Sequence, residues 1–133
     1  MSYLDIHKAL TQSIIDLNTG LPLAHENTDF KSSSVDSFIG ISTLMGDQDP
    51  ITKSGLDIVQ GIYQLTVYVK SGISTQSMLN AVDAIMGYYV QNKKLISNTQ
   101  TVLINSTSST GGRNEDGWYR NDISINFQSD ILR

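Results

Sequence analysis

The stretch Asp57–Lys70, DIVQGIYQLTVYVK, decides the fold. Tyr63, Leu65, Val67 and Val69 alternate with Ile62, Gln64, Thr66, Tyr68 and Lys70, and a period of two is that of a β-strand, whose successive side chains point to opposite faces. The first set is apolar and aromatic throughout, the second is mixed. The strand is therefore expected to lay one side on a core and the other on a partly polar surface. Just upstream, Ser37–Met45, SFIGISTLM, alternates in the same way with small or apolar residues on both sides and reads as an interior strand. Between the two, GDQDPITKSG from Gly46 to Gly55 carries Asp-Pro and Ser-Gly punctuation and reads as a hairpin loop.

Working outward, Met78, Leu79, Val82, Ile85, Met86 and Tyr89 line the apolar face of a helix that Ser74 or Thr75 can cap. Lys93 and Lys94 fall near the end of that helix, where cations suit its dipole better than they suit a phosphate site. Thr101–Asn105, TVLIN, is a short strand, Ser106–Asp116 a second polar loop, and Trp118–Gln128 a closing strand with Ile123, Ile125 and Phe127 in alternation. Gly117 is the hinge where the chain turns into that strand. One of the adjacent aromatics Trp118 and Tyr119 is expected to anchor it on the core beneath the helices. At the other end, Tyr3, His7, Leu10, Ile14 and Leu17 follow at spacings of four and three, one face of a first helix, with Ser2 as its cap and Gly20 near its end. Leu21–Asn27, LPLAHEN, reads as an edge segment because Pro22 donates no ladder hydrogen bond. The order helix, strands, helix, strands specifies an α+β fold: one mainly antiparallel β-sheet with two helices packed on one face and long hairpin loops.

The chain's 133 residues suit one core, so 1–133 is read as a single domain. With no cysteine there is no disulfide framework, thiolate nucleophile or Cys-based zinc site, which fits a chain made in a reducing compartment. MSYLDIHKAL is not the pattern of a signal peptide, and no window reaches the length of a membrane span, so the sequon at Asn105 is read as idle. The net charge of −4 and the scattered basic residues argue against tight binding of nucleic acid, whose affinity comes from Lys and Arg on the phosphates.

Catalytic motifs are not found. His7 is placed on the apolar face of the first helix, and the spacing of His25, Glu26 and Asp29 matches no zinc or acid–base arrangement, leaving a small hydrolase or ligand-binding domain as the outlying alternative. Asp47, Asp49 and Asp57 lack the glycine and terminal glutamate offsets of a calcium loop. No serine sits in a nucleophile turn and no glycine-rich loop ends as a phosphate cradle does. No cofactor, metal site or enzymatic activity is expected.

Several segments in order, LAHENTDF (Leu23–Phe30), SFIGISTLMGD, GIYQLTVYVKSGIST leading into AVDAIMGYY, and EDGWYRNDISINF, resemble the phage tail terminator-like family of small tail-completion proteins. Gly61-Ile62-Tyr63-Gln64 and Asp116-Gly117-Trp118-Tyr119 are the most specific parts. The sequence departs from the commoner pattern at Lys31 and at Asn121-Asp122. The resemblance implies a structural virion protein of the head-proximal tail end. It implies a homo-oligomer, usually a hexameric ring, that stops tube polymerisation and joins the head. Its partners would be the tail tube protein and a head–tail connector or neck protein, with DNA passing through unbound. A head-closure or neck protein is the alternative within the same assembly. The two polar loops supply the candidate contact residues: Asp47, Asp49, Lys53, Arg113, Glu115 and Asp116.

Overall fold

A computed structural model of the chain describes residues 3–17, 21–25, 36–50, 56–70, 75–97, 100–115 and 117–132. Among them run α1 (Tyr3–Leu17), β1 (Leu23–Ala24), β2 (Ser37–Pro50), β3 (Leu56–Lys70), α2 (Thr75–Tyr88), β4 (Lys94–Ser97), β5 (Gln100–Glu115) and β6 (Trp118–Leu132). The strands form one six-stranded sheet in the order β1-β2-β3-β6-β5-β4, antiparallel except for the short parallel pairing of β1 with β2. This is the α+β class expected of the sequence.

β3 sits at the centre and keeps the expected alternation. Tyr63, Leu65, Val67 and Val69 are buried and belong to one apolar cluster with Ile39 and Ile41 of β2, Val102 and Ile104 of β5, and Ile123, Ile125 and Phe127 of β6. Apolar side chains of both helices join the same cluster: Ile6, Leu10 and Ile14 of α1, Met78, Val82 and Ile85 of α2, with Tyr89 just beyond it. Tyr89 also ties the helices together, since its hydroxyl lies 2.6 Å from that of Ser13 on α1. Burial holds the Tyr89 phenol well above its ordinary pKa against the opposing hydrogen bond from Ser13.

The structure departs from the sequence reading in five places. His7 is exposed: the buried stripe of α1 is Ile6, Ala9, Leu10, Ser13 and Ile14, so the helix is turned from the face assumed through Tyr3 and His7. Leu79 of α2 is likewise exposed, with Ala81 taking the buried position. Lys93 and Lys94 do not end α2, which stops at Tyr88; Asn92 turns the chain at a positive φ of 69° and Lys94 opens the unforeseen strand β4. The expected loop Gly46–Gly55 is strand as far as Pro50, with a bulge between Met45 and Gln48. The expected loop from Ser106 is strand through Glu115, with bulges near Asn105 and between Ser109 and Gly112. Both hairpins stay polar yet paired because a bulge lets a strand absorb an extra residue without leaving the ladder. Ser2, Gly20, Glu26, Asp29, Lys53, Ser74 and Asp116 lie outside the described residues, whereas Thr75 does open α2.

Gly61 and Gly117 show why glycine stands in the two most specific segments. A Cβ on Gly61 would lie 2.6 Å from the Leu44 carbonyl oxygen and 2.7 Å from Phe127 Cζ, so the backbone there admits no side chain. Gly117 adopts a φ of +84°, the left-handed turn between β5 and β6.

Candidate functional site

β6 opens with Trp118, Tyr119, Arg120, Asn121 and Asp122, and alternation divides them between the sheet's faces. Tyr119 packs against the apolar cluster. Trp118, Arg120 and Asp122 sit opposite Lys70, Tyr68 and Thr66 of β3 in the register. The aromatic that anchors the strand on the core is thus Tyr119, and the tryptophan serves the other face. There Phe38 of β2 stacks on Tyr68 with centroids 4.5 Å apart, and Trp118 meets both edge-on at 5.2 and 6.2 Å. Offset stacks and edge contacts of this kind are worth about 0.5–1.5 kcal/mol each beyond the area they bury. Phe38 is buried yet lies outside the helix-side cluster.

The Arg120 guanidinium lies 5.2 Å from the Tyr68 ring centre and donates to Asp122 at 2.9 Å. Arg113, reaching across from β5, donates to the other carboxylate oxygen of Asp122 at 2.9 Å, and the Thr66 hydroxyl donates to the first at 2.7 Å. Burial pushes the Asp122 carboxyl upward, but the hydrogen bonds from Arg120 and Thr66 and the two guanidinium charges outweigh it and hold the group below its ordinary range. A groove of about 520 Å³ opens beside this cluster, lined by Phe38, Gly40, Ser42, Gln64, Tyr68 and Trp118 among others.

Chemically the arrangement is a lock. One carboxylate takes three donors from three strands, so it is a poor general base, and the groove's own polar groups are hydroxyls and an amide. His7 is on α1 and His25 just follows β1, and among the described residues no group of three His, Asp or Glu side chains could hold a metal ion. No helix of the structure is long and apolar enough to cross a membrane.

Of the residues singled out from sequence, Asp47 lies within the bulge of β2 and Asp49 beyond it, and Arg113 and Glu115 lie at the end of the β5 ladder. β2 and β5 are separated by β3 and β6, and these positions fall at opposite ends of the sheet: Asp49 is level with Asp130 of β6 through Ile58, whereas Glu115 pairs with Trp118. The structure does not bring them into one site. Sequence reasoning missed Phe38, Thr66, Tyr68, Arg120 and Asp122. The alternation of Trp118, Arg120 and Asp122 was readable, but the register that sets them against β3 was not.

Among curated proteins, none matches the chain. One solved structure, 17% identical, superposes with a TM-score of 0.79 over 100% of this chain and 99% of its own, which shows a shared fold. The family model described as phage tail terminator protein matches residues 5–127, from the start of α1 to the middle of β6. A match of that extent, over segments that the fold assembles into one sheet and one core, makes the chain a member of the phage tail terminator family, a family of structural proteins of the phage tail.

Proposed function

We propose that the protein is a tail terminator in the full sense: a ring of identical subunits, six in the usual arrangement, seated on the head-proximal end of the tail tube of a long-tailed phage. The ring ends polymerisation of the tube and presents the surface that the head–tail connector or neck protein meets. The family match over residues 5–127 carries this reading. Two features support it. Among the described residues the buried carboxylate, Asp122, is committed to structural partners on three strands. Its paired strands also carry charged positions, Asp47 and Asp49 on β2 and Arg113 and Glu115 on β5, at opposite ends of the sheet, as a subunit with a tube below and a neck above requires, and Lys53 and Asp116 lie near them in the sequence. These six residues are assigned to the contacts with tube and neck. A formal charge of −4 suits a ring that DNA traverses without being held.

Electron microscopy of particles produced without this protein tests the reading. Overlong tails are expected. Tails of normal length beside unattached, filled heads would assign the protein to the neck instead.

A further inference from the structure

α1 exposes two large apolar residues on the side opposite its buried stripe. Its buried stripe faces the core, and directly behind it Leu4, Lys8, Thr11 and Ile15 follow at spacings of four, three and four along the outward side. Leu4 is 59% and Ile15 50% exposed, and the stripe continues to Ile96 of β4, 68% exposed, across a groove that Lys8, Thr11 and Ile96 help to line. A helix that needs only one buried face has no folding reason to set two large apolar side chains, with a lysine between them, along its opposite side.

α2 carries a counterpart. On the side away from its buried residues, Gln76, Asn80, Asp83 and Gly87 follow at the same spacings of four, three and four, with the exposed Leu79 alongside. Asp83 is the only charged residue of α2, and a Cβ built on Gly87 would meet nothing within 4 Å. The position is an open notch on the helix surface.

Laid antiparallel, the two stripes match position by position. Leu4 falls on the Gly87 notch, Lys8 on Asp83, Thr11 on Asn80, and Ile15 on Gln76 beside Leu79. The helices are nearly equal in length, 15 and 14 residues, about 21 Å each, so the contact runs along both. Antiparallel packing also sets opposite helix dipoles side by side. Within one chain both stripes point away from the core, so they meet only between chains.

We propose that α1 of one copy packs antiparallel on α2 of the next, forming the seam between neighbouring subunits of the ring. The inference rests on the terminator reading given above. It uses two different surfaces of each copy, the condition for a head-to-tail interface that closes into a ring. The charge match of Lys8 with Asp83 fixes the register, and it is absent from antiparallel pairing of two α1 helices, where Lys8 would face Thr11, or of two α2 helices, where Asp83 would face Asn80.

Charge reversal tests it with full-length protein, whose assembly is followed by light scattering and sedimentation, alone and with assembled tail tubes. Lys8→Glu and Asp83→Lys each weaken association by about tenfold or more, the scale of losing an interfacial charge match. The double variant Lys8→Glu/Asp83→Lys recovers most of the loss, an outcome that a general structural defect would not give. Gly87→Arg fills the notch and abolishes assembly; circular dichroism melts no lower than wild type, because a Cβ there meets nothing within 4 Å and Arg is a better helix former than Gly, show that the monomer is folded. A wild-type ring indifferent to Gly87→Arg, or reversals that the double variant fails to rescue, would overturn the seam and leave the terminator reading standing. A wild-type particle of only two chains would overturn the head-to-tail arrangement. A wild-type protein that stays monomeric with tubes present would overturn the ring and the seam together.

Discussion

Asp122 ties the opening of β6 to its neighbours, since it accepts hydrogen bonds from Thr66 of β3 and Arg113 of β5. Its folded pKa lies below the ordinary one, so the stability it contributes is fully present above the unfolded value, about 3.9, and is lost as pH falls through the folded value. Asp122→Asn should therefore destabilise the protein at neutral pH by about 2–4 kcal/mol, toward the loss expected when one partner of a buried pair is removed. The gap from wild type should begin to narrow near pH 4, where the unfolded carboxylate takes up its proton, and close as pH falls through the lower folded value. Denaturant unfolding of both proteins between pH 2 and pH 7 measures this, and a gap that stayed constant through the acid range would show that Asp122 acts by shape alone. Gly61 is a second residue with a defined cost. Gly61→Ala drives a methyl into the Leu44 carbonyl and the Phe127 ring and should cost about 2–3 kcal/mol, as overpacking of a filled site does. Gly87→Ala, with open space around it, should change stability by less than about 1 kcal/mol in the favourable direction. Unfolding midpoints of the two variants, read side by side, check the contrast.

The elements differ in how much of them the sequence discloses. β3 was fully legible because its apolar and mixed residues separate cleanly at a period of two, and the closing strand from Trp118 for the same reason. The helices were legible as helices but their rotation was not. His7 and Ile6 are adjacent, either could lead an apolar stripe, and the choice between them turns on packing against Tyr89 and the sheet. The long hairpins were illegible because the residues that make them, Ser106 to Glu115 and Gly46 to Pro50, are the polar and glycine-rich types that also make loops. What keeps them in the ladder is pairing with β3 and β6 across bulges, a tertiary effect that no local pattern announces. The lock at Asp122 was hidden for the same reason, since the contact with Thr66 joins residues 56 positions apart.

At the scale of the whole molecule, stability is distributed unevenly, and this bears on assembly. β3 and β6 lie at the centre of the sheet and pair on both sides along most of their length. In β5, the stretch Ser108–Gly112 is exposed and has β6 on one side with no described strand on the other. Segments with few buried contacts open at low free energy, and amide exchange reports that opening directly. In the free protein the amides of β3 and of β6 from Asn121 to Ser129 should exchange last and those of Ser108–Gly112 among the first. Ring formation through α1 and α2 should slow exchange in those two helices by about tenfold or more, because each opening must then also break the seam, while Ser108–Gly112 changes little. Seating the ring on tail tube or neck should slow Ser108–Gly112 in turn, since that stretch leads directly to Arg113 and Glu115. Mass-spectrometric exchange on the free protein, the ring and the ring on tubes separates the two steps. Slowing of the β5 segment at the first step, with the helices unaffected, would place the seam between subunits on the hairpin and the helices against another partner.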